Sequence, residues 1–219
     1  MRKPYLAHIE VHADVRCYLV DGTWIRNHKD VDFTNGAHHF TRAYIPIDEV
    51  WIDREAPGAD ELRFLIHHQV KERALMLSGV PYLRALASAN RAERRERRAA
   101  LRNPPATRNA ARLRVRKKLL LQLDGDAIWI VDGRAVRDYF DPNFTHGGHH
   151  LRHRFIPRRE IWIDDAIVAR ELEYTLAHEL YELGLMRGGM SYDDAHDRAL
   201  AVEKSLRRQR TRRLRTRTA

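Results

Sequence analysis

Apolar residues follow two different periods along this chain. Between His8 and Val20 they alternate loosely, as Ile9, Val11, Ala13, Val15 and Cys17, which predicts a strand running into a turn at Asp21-Gly22. Tyr44-Ile45-Pro46 and Glu49-Val50-Trp51-Ile52-Asp53 predict two further short strands separated by a turn. Between Glu171 and Met186 the period lengthens. Leu172, Leu176, Leu180 and Leu183 recur at helical spacing and predict an amphipathic helix. At about 100° per residue, Glu171, His178 and Glu182 fall within about 40° of one another, roughly opposite the leucines, and form one polar stripe.

The whole pattern occurs twice. Val20-Asp21-Gly22, Arg26, Asp30, Phe33-Thr34, Gly36, His38-His39, Ile45-Pro46, Glu49 and Trp51-Ile52-Asp53 return 111 positions later, from Val131-Asp132-Gly133 to Trp162-Ile163-Asp164. With a shift of 110, Glu61, His68, Glu72, Met76, Gly79, Tyr82 and Glu93 match Glu171, His178, Glu182, Met186, Gly189, Tyr192 and Glu203. So many matches in register mark a tandem duplication. In each copy a glycine-bearing break, Ser78-Gly79-Val80-Pro81 or Gly188-Gly189-Met190-Ser191, precedes a second helix; Pro81 suits a first helical turn and Ser191 a cap. The expected fold class is α+β: a small β-meander followed by an α-helical hairpin, duplicated in a pseudo-twofold arrangement. The first repeat is expected over 1–102, a linker holding Pro104-Pro105 over 103–117, and the second repeat with a basic tail over 118–219.

Charge adds an asymmetry. The formal net charge is +10 over 219 residues, yet residues 91–118 carry 12 Lys or Arg against 2 acids and residues 204–219 carry 8 against none, leaving the remainder at −8. Such segments suit phosphate backbones, and Arg207, Arg208, Arg210, Arg212 and Arg213 are the candidate nucleic-acid contacts. The single cysteine, Cys17, excludes an internal disulfide and a thiolate zinc site, and points to a reducing, cytoplasmic setting. No apolar run is long enough to span a membrane, so no membrane partner is expected.

The candidate chemistry lies on the polar stripe. His178 and Glu182 are four residues apart, the separation at which two side chains of one helix hold the same ion, and Glu179 sits between them. Folding back at Gly188-Gly189 brings His196 and Glu203 level with that stripe, while His149 or His150 offers a further ligand from a strand. Candidate metal ligands are therefore His178, Glu182, His196, Glu203, His149 and His150, with Glu179 as the base that takes a proton from water and a divalent metal, zinc first, as cofactor. Arg137 or Arg152 is a candidate for steadying developing negative charge. The first repeat keeps the counterparts His68, Glu72, His38 and His39, but carries Gln69 for Glu179 and Leu86 for His196; glutamine cannot take a proton, so it lacks the base.

The helix resembles the His-Glu-x-x-His helix of zincins, with Glu182 in place of the second histidine. The series 144–150, 155–164 and 178–182 is also similar to an uncharacterised group of small proteins from bacteria and their phages, in which the unit usually occurs singly. That resemblance implies a β part paired with a His-Glu helix and implies no reaction. Two functions follow as expectations. One is a metal-dependent hydrolase, peptidase- or amidase-like, acting on an unidentified protein or peptide. The other is a non-enzymatic nucleic-acid-binding or phage-associated accessory protein that uses the arginine-rich segments.

Overall fold

The computed structural model describes residues 3–12, 14–55 and 61–217, and of 213–217 the backbone alone. The first half runs β1 (Tyr5–His12), β2 (Val15–Val20), α1 (Gly22–His28), β3 (Gly36–His38), β4 (Glu49–Asp53), α2 (Leu62–Leu77) and α3 (Tyr82–Ala100). After α4 (Arg108–Val115) the order repeats as β5 (Arg116–Leu123), β6 (Asp126–Val131), α5 (Gly133–Tyr139), β7 (Gly147–His149), β8 (Glu160–Asp164), α6 (Ala169–Arg187) and α7 (Tyr192–Arg217). The chain is a mixed α+β protein of two similar halves, each a four-stranded sheet followed by paired helices. Among the described residues no helix is long and apolar enough to cross a membrane.

The strand orders are β1-β2-β4-β3 and β5-β6-β8-β7, with β2 parallel to β4 and β6 parallel to β8. This connectivity is not that of a plain meander, and the cause is local. Asp21 and Asp132 do not form hairpin turns: each caps a helix, accepting a hydrogen bond from the backbone N–H of Trp24 and of Ala135 respectively. The capped helix carries the chain over the sheet, which lets the next long strand lie parallel. The hairpin comes earlier, between β1 and β2, and divides the stretch that alternation had joined. Tyr44-Ile45-Pro46 lies in turns, with the Ile45 N–H closing onto the Arg42 carbonyl; Ile45 mimics a strand residue because it is buried. Gly22 and Gly133 open α1 and α5 because a Cβ there would meet the carboxylate of Asp53 or Asp164 at about 2 Å.

Both faces of each sheet are covered, so all five residues of β4 are buried. Val50 and Ile52 pack with Leu65 and Ile66 of α2, while Trp51 points the other way onto Ile25, Phe33 and Ile45. The second half repeats this: Ile161 and Ile163 face Leu183 and the leucine stripe of α6, and Trp162 faces Val136, Phe144 and Ile156.

The halves meet through buried ion pairs. Arg26 Nε donates to Glu171 Oε2 at 2.9 Å, and Arg137 Nη2 donates to Glu61 Oε2 at 2.6 Å. Arg26 and Arg137 are equivalent positions, as are Glu61 and Glu171, so each half gives one arginine and receives one, the isologous pattern of a twofold axis. Arg97 and Arg207 repeat the relation. Arg97 joins Glu93 to Glu61 over the Phe64 ring, and Arg207 joins Glu203 to Glu171 over the Tyr174 ring. Arg207, expected among the basic-tail contacts, is therefore buried and committed to two carboxylates. Arg137 is likewise occupied by Glu61 and Asp164 and does not line the cleft that holds His178, Glu182 and His196, which removes it as a charge-steadying group there.

Removing one member of a buried ion pair leaves the other charge uncompensated. Arg137→Met is therefore expected to cost about 3–5 kcal/mol in urea denaturation, whereas Arg210→Ala, which removes the exposed Arg210–Glu173 pair, costs less than about 1 kcal/mol.

Candidate functional site

The site is built by the α6–α7 hairpin. Gly189 at φ 89° turns the chain, the Met190 N–H returns to the Leu185 carbonyl, and the Ser191 hydroxyl accepts from the Asp194 N–H at 3.2 Å to start α7. The antiparallel return brings three donor atoms together. Glu182 Oε2 lies 2.8 Å from His196 Nδ1 and 3.4 Å from His178 Nε2, and the two ring nitrogens are 3.2 Å apart. A tetrahedral zinc ion with bonds of about 2.0–2.2 Å separates its ligand atoms by about 3.3–3.6 Å. Two edges of the observed triangle are already close to that separation, and the Glu182–His196 edge needs to lengthen by about 0.5–0.8 Å to hold one.

The surrounding contacts orient these three groups. On the far side of the His178 ring, Nδ1 meets Glu203 Oε2 at 3.2 Å, so Glu203 sits behind the ring. His149 holds the other oxygen of Glu182, with Nε2 2.9 Å from Oε1. The Arg152 N–H donates to His149 Nδ1 at 3.3 Å, which places the ring proton on Nε2 and makes His149 the donor to Glu182. His150 faces away: it is half-buried, does not line the cleft, and its Nδ1 has no hydrogen-bond partner among the described residues.

Glu179 is buried, projects to the same wall as Glu182, and has no hydrogen bond to any described residue. Burial pushes its carboxyl up to about 7. For His178, burial opposes the charged form, but hydrogen bonds to Glu182 and Glu203 outweigh it and lift the ring to about 10. Asp32 and Glu182 lift His196 to about 9. Burial disfavours ionised Glu182, yet its three histidine partners hold it well below the usual carboxylate range. A second triple, His149, Glu179 and Glu182, also has its ligand atoms within 4.8 Å of one another; it shares Glu182 with the first and is buried throughout.

His178, Glu179, Glu182 and His196 line a cleft of about 450 Å³ to which the first half also contributes Asp32, Thr34, Tyr82 and Leu86. Arg152 stacks at 4.0 Å over Tyr192, whose ring stacks on His196 at 5.3 Å, so Arg152 does stand beside the cleft.

The first half reproduces the scaffold without the full donor set. His38 Nε2 meets Glu72 Oε1 at 3.1 Å, His68 Nε2 lies 3.4 Å from Glu72 Oε2, and His68 Nδ1 meets Glu93 Oε2 at 2.7 Å. Leu86 stands where the third donor would be, and His39 is turned to the Ile45 carbonyl. Of the tail arginines, Arg208 is exposed, Arg210 is exposed against Glu173, and Arg212 is exposed; the side chain of Arg213 lies outside the described residues. Sequence reading overlooked Asp32, which lies 3.6 Å from His196 across the twofold. The available signal is a further difference between the copies, Asp32 against Asn143.

Comparison with protein-family models, curated proteins and solved structures returns no match to this chain.

One titration is testable in the first half. Burial opposes the His68 imidazolium, but Glu72 and Glu93 raise it from 6.5 to about 9. A group raised on folding stabilises fully below its unfolded value and loses that contribution as pH rises through its folded value. Unfolding free energy is therefore expected to fall between pH 6.5 and 9.5, with a shallower fall in Glu72→Gln, measured by urea denaturation across that range.

Proposed function

We propose that the chain is a metal-dependent hydrolase of peptidase or amidase type, with zinc bound in the second half. The observation that carries this is the convergence of His178 Nε2, Glu182 Oε2 and His196 Nδ1 within 2.8–3.4 Å on the wall of an open cleft. Two imidazole nitrogens and a carboxylate oxygen are a donor set that zinc takes, and His196, the least buried of the three, leaves a side facing the cleft. The ion would supply Lewis acidity toward a carbonyl and toward water. The chain's own residues do the rest. Glu203 fixes the His178 ring with Nε2 inward, and His149 fixes the Glu182 carboxylate. Glu179, which has no other partner among the described residues, takes the proton of the attacking water and delivers it to the leaving nitrogen.

Elemental analysis of the parent is expected to give one zinc per chain, and His178→Ala none. Glu179→Gln should keep the zinc and lower hydrolysis of a peptide panel by about 10²–10⁴-fold. A parent that takes up no zinc sinks the proposal. Loss of zinc in Glu179→Gln would place the ion instead in the His149, Glu179, Glu182 triple.

A second reading is favoured by one separate feature, a groove of about 480 Å³ between α1 and α7 lined by Lys29, Lys204, Arg208 and Arg212. Its charge suits the phosphate backbone of a nucleic acid, bound without base readout. The double change Lys204→Glu, Arg208→Glu should weaken binding of duplex DNA and reduce the slope of log K against log salt by about 2. An unchanged slope would remove this reading.

A further inference from the structure

The two clefts adjoin and share the lining residues Asp32, Thr34, Tyr82, Leu86, Asn143 and Thr145, so each is walled partly by the other half. On the loop between α1 and β3, Asp32 presents Oδ1 3.6 Å from His196 Nε2, the ring nitrogen opposite the one that faces Glu182. Its Oδ2 accepts from Arg42 Nη2 at 2.6 Å, and Arg42 Nε in turn pairs with Asp30 at 2.7 Å. The carboxylate is thus clamped by Arg42, from the β3–β4 loop of its own half, and aimed into the neighbouring half.

The other half lacks every part of this device except the counterpart of Asp30. Asn143 stands for Asp32, His153 for Arg42, and the helix residue on that cleft is Leu86 where the second half has His196. Three differences between the copies therefore go together. Where the helix offers a histidine, the opposing loop offers a clamped carboxylate; where it offers a leucine, the loop offers a neutral amide. Independent drift on a solvated face gives no reason for that pairing.

We propose that Asp32 is a positioning residue of the second-half site, so that the first half completes across the pseudo-twofold a site it does not itself form. The proposal rests on the metal reading above. A histidine that gives Nδ1 to a cation carries its proton on Nε2, and a carboxylate at that nitrogen fixes the tautomer and the ring plane and raises the basicity of the ligand atom. At 3.6 Å the contact is longer than a direct hydrogen bond and is closed by a small rotation of Asp32 or by one bridging water.

The test compares zinc affinity, by competition with a chromophoric chelator, and the visible spectrum of the cobalt(II) form in the full-length parent, Asp32→Asn, Asp32→Glu and Asn143→Asp. Thermal midpoints are recorded alongside. Asp32→Asn should bind zinc about 10–100-fold more weakly and shift the cobalt bands, Asp32→Glu should recover part of both, and Asn143→Asp should stay within about twofold of the parent, since the helix residue on the first-half cleft is Leu86, which offers no ring nitrogen for a carboxylate to position. Parent-like affinity and spectrum in Asp32→Asn would overturn the role of Asp32 while leaving the metal site standing. A loss that follows a lowered midpoint and is not recovered by Asp32→Glu would overturn it too. A parent that binds neither zinc nor cobalt would overturn both proposals.

Discussion

Four guanidinium groups buried at the junction of the halves, those of Arg26, Arg97, Arg137 and Arg207, constrain everything around them. A buried charge is tolerated only when paired and hydrogen-bonded. Each of the four meets at least two carboxylates, and Glu61 and Glu171 each accept from one arginine of their own half and one of the other. A shift of one half against the other would part Arg26 from Glu171, Arg137 from Glu61 and Arg97 from Asp138, leaving these arginines only the carboxylates of their own half. Burial holds Glu171 in conflict with its charge, but Arg207 and Arg26 override it and bring its carboxyl down to about 2. The junction is therefore a polar lock whose register is set by charge rather than by apolar fit.

The lock and the site are parts of one connected system. From His149 the contacts run to Glu182, His178, Glu203, Arg207, Glu171 and Arg26, and the first half repeats the series from His38 to Arg137. Glu203 binds His178 with one oxygen and Arg207 with the other. The orientation of the histidine on α6 is thus tied to how the halves are docked.

Much of this was legible in the sequence, for identifiable reasons. The leucine period of α6, the glycine breaks at 79 and 189 and the register of the repeat are local signals, and they located the helical pairs and the facing of His178 and Glu182 toward His196 and Glu203. Strand order was not legible, because Asp-Gly serves equally as a hairpin turn and as a helix start, and only the parallel pairing of β2 with β4 decides between them. The roles of Glu61, Glu171 and Arg207 were hidden because a charge seen in sequence is assumed to face water. Their partners lie 145 or 76 positions away for the arginine–glutamate exchange and 36 for Arg207 with Glu171, beyond any periodic pattern. Asp32 escaped for a related reason, since a repeat search rewards agreement and this residue matters where the copies disagree.

The exchange of Arg26 and Arg137 between halves has an evolutionary side. A unit with this surface, existing alone, would leave one arginine and one glutamate each short of a partner that a second copy of itself would supply, so its natural state would be a symmetric dimer. In such a dimer both clefts are encoded by one gene segment, and any change to one is imposed on the other. Joining the copies in a single chain lifts that coupling while keeping the interface. His196 with Asp32 on one side and Leu86 with Asn143 on the other are what that release permits: two clefts on one scaffold whose linings diverge independently.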